Sequence, residues 1–130
     1  MKKLVKISLI ILAILLISVA TMMFIFMNGM EDAKAIQINS VDLSIVEDGD
    51  YVGSFDLTRW SNEIKVTVKD HQIIELELVD DVMFKIDEVT KTLFDRVIQN
   101  QSLDVDVETG ATVTSHAYLK AVENALEGNQ

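Results

Sequence analysis

From residue 7 to residue 27 the chain runs for 21 residues without a charge or a proline, and Lys2, Lys3 and Lys6 stand just before the run. A helix rises about 1.5 Å per residue, so about 20 apolar residues cross the roughly 30 Å of hydrocarbon in a bilayer. A cleaved secretory signal has a shorter apolar core, about 7–15 residues, followed closely by small residues at the cleavage point. Here the core is longer and ends in Met22-Met23-Phe24-Ile25-Phe26-Met27, while the small-x-small triplet Ala33-Lys34-Ala35 lies well beyond it. The expectation is a retained single-pass anchor over residues 1–27, with a cleaved leader as the alternative. The lysines favour a cytoplasmic N-terminus, which puts the remainder on the outer side of the cell membrane.

The remainder has a different composition. All 21 acidic residues but only 8 of the 11 basic ones lie beyond residue 27, leaving that part with a net charge of −13. Such a surface offers no basic patch for counterion release, so binding of a nucleic-acid backbone is not expected. The chain has no cysteine, which removes disulfides, thiolate zinc sites and iron–sulfur clusters together. With His71 and His116 as the only histidines, no metal site is expected either. At 130 residues there is room for one domain of ordinary size.

Residues 28–47 mix small and polar side chains without a period and read as a linker, so the folded domain is expected over 48–128. Tyr51-Val52-Gly53-Ser54-Phe55 reads as a short strand. Ile64, Val66 and Val68 then alternate with Lys65, Thr67 and Lys69, and Ile74, Leu76 and Leu78 alternate with Glu75, Glu77 and Val79. With Asp70-His71 between them these two runs predict a β-hairpin. After Asp80-Asp81, either of which could cap, Ile86, Val89, Leu93 and Val97 recur at helical spacing to about Asn100. A last helix carries the stripe Ala117, Tyr118, Ala121, Val122, Ala125 and Leu126, with Gly128 as its stop. Strands first and helices after predict an α+β fold: a small antiparallel sheet with two packed helices, preceded by one transmembrane helix.

The chemistry concentrates in Asp106-Val107-Glu108-Thr109-Gly110-Ala111-Thr112-Val113-Thr114-Ser115, where four hydroxyls surround a Gly-Ala pair before the last helix. Gly110 and Ala111 remove bulk, and the first amides of a helix beginning near Thr114 are unpaired and carry partial positive charge. Two readings fit these residues. Thr114 or Ser115 caps the helix with Thr109 in a turn, or the hydroxyls and amides hold a phosphate. Neither a P-loop nor a dinucleotide fingerprint matches the spacing.

The same stretch resembles the Asp-x-x-Ser/Thr-Gly-Ala-Thr signature of FMN-binding domains, a family that includes peripheral flavin subunits of the sodium-translocating NADH:quinone oxidoreductase and of the Rnf complex. Asp48-Gly49-Asp50-Tyr51-Val52-Gly53 and the hairpin Val66-Thr67-Val68-Lys69-Asp70-His71-Gln72-Ile73 are similar to two further family motifs, so the resemblance covers about residues 48–127. It implies FMN joined to Thr112 through a phosphoester, installed by a flavin transferase that consumes FAD. Asp106, Thr109, Gly110 and Ala111 would serve as the transferase's recognition sequence and a close-fitting turn, with Thr114 and Ser115 donating to the phosphate or the cap. Electrons would pass to or from a membrane partner, and with no paired acid and base, no catalytic residue is assigned: a carrier is expected rather than a complete enzyme. Thr stands at 109 where Ser is common, His71 replaces the hairpin glycine, and His116 replaces a small polar residue. His116 is expected to face solvent, with contact to the flavin or tuning of its protonation as the alternative, and Tyr51 and Trp60 are expected to sit in the core, with stacking on the flavin as theirs. The alternative function is an anchored ligand- or protein-binding module using the fold without flavin.

Overall fold

The computed structural model describes residues 1–128 as two units, the first ending at Glu31. In the first, helix α1 (Lys2–Met27) has no buried residue, and its most apolar window has a mean hydropathy of 3.0. Among the described residues it is the one helix long and apolar enough to cross a membrane. A five-residue helix, α2 (Met30–Lys34), spans the boundary between the units.

The second unit is a three-stranded antiparallel sheet in the order β1 (Gly49–Phe55), β2 (Asn62–Lys69), β3 (Gln72–Asp80), with helices α3 (Asp87–Asn100) and α4 (Thr112–Glu127). This is the expected α+β fold. The central strand alternates as its sequence does, burying Asn62, Ile64, Val66 and Val68. Asp70 and His71 both take positive φ, 51° and 60°, as a two-residue hairpin turn requires. The histidine Nδ1 donates to the Val46 carbonyl at 2.8 Å, fixing the turn to the preceding segment.

The strand after the turn departs from expectation. Val66 pairs with Leu76 but Val68 pairs with Ile73, so an irregularity at Thr67/Val68 leaves an extra residue on β3. A one-residue slip exchanges the faces of a strand. Ile73 is therefore the buried residue, and Ile74, expected inward, is 49% exposed. The Gln101 carboxamide then pairs with Ile73, accepting from its amide and donating to its carbonyl at 2.8 Å each, so that a side chain substitutes for a strand at that point of the edge.

Helix α3 buries Thr90, Leu93, Phe94 and Val97, but starts at Asp87: Ile86 occupies the N-cap position and is exposed. Neither Asp80 nor Asp81 caps it. Asp80 ends β3, and Asp81 accepts a hydrogen bond from the Tyr118 hydroxyl at 2.5 Å. Burial, then the bond to Asp81, pushes the Tyr118 phenol well above its usual range. Its ring meets Phe94 edge-on at 5.9 Å and joins α4 to α3. Trp60 is buried beneath the Arg59 guanidinium, 4.3 Å from the ring centroid, so it belongs to the core and offers no face for stacking.

Helix α4 lies on β1 and β2 and buries its whole predicted stripe. At Gly53 the approach leaves no room for a side chain. A Cβ there would fall on the Ala121 carbonyl and the Ala125 amide of α4. The 28–47 stretch, aperiodic in sequence, contributes to this unit: Ile38, Val41 and Leu43 pack on the core and Val46 is fully buried. Among its polar attachments is Asn39, whose backbone amide and carboxamide donate to the buried Glu123 carboxylate at 3.0 and 2.9 Å. Lys120 donates to the same carboxylate at 2.8 Å.

Two outcomes follow from this packing. Gly53→Ala destabilises the domain by about 3 kcal/mol, because backbone atoms of a helix cannot yield as a side chain does, and urea unfolding of the full chain measures it. Burial opposes ionisation of Glu123, but Lys120 and both Asn39 donors outweigh it and hold the carboxyl below its ordinary value of 4.5. A lowered folded pKa means the stabilisation is complete above about 4.5 and is lost as pH falls through the folded value. Glu123→Gln therefore costs roughly 2–3 kcal/mol at neutral pH. Its gap to the wild type narrows below pH 4.5, as read from unfolding curves at several pH values.

Candidate functional site

Between α3 and α4 the chain has no regular secondary structure over residues 104–108 and turns at Thr109 and Gly110. The turn is closed by the Ala111 amide donating to the Glu108 carbonyl at 3.0 Å. Gly110 has φ +88°, a conformation that L side chains rarely adopt, and a Cβ placed there would meet nothing within 4 Å. The glycine is thus required by the backbone, and the space beside it is open.

The helix begins two residues earlier than the hydroxyl pattern suggests. Ala111 is the N-cap, without a side-chain capping bond, and Thr112 is the first helical residue. Thr114 and Ser115 consequently lie inside the first turn and neither is the cap. A three-residue shift between Thr112 and Ser115 takes the chain from outside to inside: Thr112 is exposed, whereas Ser115 is fully buried and its hydroxyl has no hydrogen-bond partner among the described residues. The first intrahelical bond runs from the Ser115 amide to the Ala111 carbonyl at 2.9 Å. The amides of Thr112, Val113 and Thr114 have no protein acceptor among the described residues, leaving three donors and the positive end of the helix dipole beside the Thr112 hydroxyl.

The segment leading in is clamped by Arg96 of α3. One guanidinium nitrogen donates to the Asp106 carbonyl and the other to the Glu108 carboxylate, each at 2.8 Å. The Asp106 side chain itself is exposed. Arg96 has no signal in the sequence, because it belongs to the preceding helix and its reach depends on how the chain folds back.

His116 is not a plain surface residue. It is half-buried and, with Leu119, forms the α4 wall of a cleft of about 460 Å³. Leu103, Asp104 and Val105 close a second side, and residues from the 36–40 stretch close the third. Tyr51 stays half-buried and donates its hydroxyl to the Glu47 carbonyl at 2.6 Å.

No curated protein matches the chain. The model of the FMN-binding domain matches residues 59–127, just over half of its length and including the whole Gly-Ala-Thr turn, β2, β3, α3 and α4. The chain belongs to the FMN-binding domain family, and its role is to bind the flavin.

Proposed function

We infer that the protein is a membrane-anchored flavoprotein that carries FMN covalently on Thr112 and relays electrons outside the cytoplasm. The observation that carries this is the exposed Thr112 hydroxyl at the first position of α4, followed by free amides and preceded by the open Gly110 turn. These residues fit a phosphoester. The hydroxyl is reachable by another enzyme, three amide donors and the helix dipole favour the remaining negative charge, and no side chain fills the space next to it. Membrane attachment is supported by the length and apolarity of α1 and by the lysines before it.

Attachment needs a transferase, because a threonine hydroxyl is a weak nucleophile without an adjacent base. The Thr112 oxygen attacks the FMN-side phosphorus of FAD. The bond between that phosphorus and the bridging pyrophosphate oxygen breaks, AMP leaves, and the hydroxyl proton passes to a base of the transferase. Once bound, the flavin supplies the redox chemistry. The chain's own work is to hold it: Arg96 fixes the approach to the turn, Gly110 keeps the space clear, and the α4 amides bind the phosphate charge. Asp106 and Thr109 stand exposed beside the turn, where a transferase can read them. The domain's net negative charge suits a basic docking face on its electron-transfer partner.

Coexpressed with a flavin transferase, the intact chain gains the mass of FMN less one water, on the peptide containing Thr112. Thr112→Val abolishes the gain; an unmodified wild type beside an active transferase would overturn the covalent reading. Arg96→Ala leaves the acceptor hydroxyl in place but frees the segment before it, so flavin transfer slows about tenfold or more, as expected when reacting groups lose their fixed orientation. Time-resolved mass measurement of the modified fraction tests this, and an unchanged rate would show that the clamp serves stability alone.

A further inference from the structure

The geometry points to the cleft beside α4 as the seat of the flavin's isoalloxazine ring, with the 36–40 stretch as a strap over it that Glu123 latches in place. This rests on FMN being carried at Thr112. His116 follows Thr112 by four residues, so the two side chains share a helix face about one turn apart, roughly 5.4 Å along the axis. The ribityl chain between phosphate and ring is longer than that, so a ring tethered at Thr112 reaches the cleft. The volume of about 460 Å³ falls within the range of small-molecule sites, about 300–1,000 Å³.

The lining suits the ring's two ends. Ile38, Leu103, Val105 and Leu119 supply apolar surface for the dimethylbenzene edge, and Asn39 and His116 bring polar groups for the pyrimidine edge. A second groove, about 380 Å³ between β3 and α3, has no α4 residue in its walls. It offers no comparable path from the tether.

The latch supplies the second line of argument. Burying a carboxylate is costly unless it is fully paired, yet Glu123 is 0% exposed. Its partners converge on the strap: two donors from Asn39, and Lys120, which also donates to the Gln37 carbonyl at 3.3 Å. The buried charge fixes a wall of the cleft that is itself neither strand nor helix.

The test uses the full-length chain in detergent micelles, flavinylated by coexpression and matched for FMN occupancy by intact mass. Iodide quenching of flavin fluorescence reads ring exposure, and circular dichroism of the visible flavin bands reads whether the ring is held in a chiral setting. The wild-type quenching constant should be about threefold or more below that of the flavin peptide released by proteolysis, since pockets bury roughly 70–90% of a ligand's surface. Asn39→Ala should raise the constant toward the peptide's value. His116→Ala, which leaves the latch intact, should alter the visible dichroism at unchanged occupancy. Wild-type quenching equal to the released peptide, or dichroism indifferent to His116→Ala, overturns the cleft while leaving the covalent flavin standing. A chain that gains no FMN mass overturns both.

Discussion

The missing side chain at position 53 governs the distance between α4 and the sheet. Ala121 and Ala125 meet Gly53 through backbone atoms, so helix and strand approach here more closely than any side chain at that position would allow. Residues on either side are then set without further adjustment: Tyr118 reaches Asp81 and Phe94, and Leu126 and Val122 close the core over β2. Because a helix is stiff, fixing its middle also fixes its first turn. Thr112 stands at the end of a lever whose fulcrum is this glycine contact, which explains how an exposed hydroxyl can have a defined position although its own side chain touches little.

Much of this was readable in the sequence wherever one physical rule acted alone. The central strand is flanked on both sides, so its strict alternation survives into the structure. The α4 stripe is equally plain, since all six of its positions are buried. Failures came where two rules competed. The pattern of β3 favours Ile74 inward by simple alternation, but the hairpin register inserts a residue and gives the core to Ile73. The hydroxyls at 114 and 115 have the composition of a cap, yet Gly110 turns the chain early enough for Ala111 to occupy that position without one. Arg96 and the part of Glu123 in holding residues 37–39 could not be recognised beforehand, because the partners of Arg96 lie 10 to 12 residues away and the Asn39 donors to Glu123 lie 84 residues away.

The charge distribution has two layers with different uses. Most of the acidic residues are solvated and screened, and they affect association more than folding. Glu123 is the exception, a carboxylate removed from water and compensated by a lysine on its own helix and by two donors from a distant segment. That arrangement turns an electrostatic cost into a positional constraint on residues 37–39, a stretch whose composition would otherwise leave it free. A buried ion pair adds little net stability compared with apolar packing, but it favours one placement of the strap over many.

A covalently carried cofactor imposes opposing demands on the residue that bears it. The hydroxyl has to be accessible while another enzyme modifies it, and the redox ring is best kept from solvent afterwards. The first turn of α4 separates these demands in space. Thr112 points out and Ser115, three residues on, is wholly buried. His116 and Leu119 then continue the helix into the wall of a cleft. A tether attached at the exposed position can thus be delivered from outside and still lead to a sheltered one, without any large movement of the sheet or of either helix. In the proposed covalent arrangement the free amides at the helix start would stabilise the anionic link at the junction between the two, so one helix N-terminus would serve both the attachment and the retention of the group.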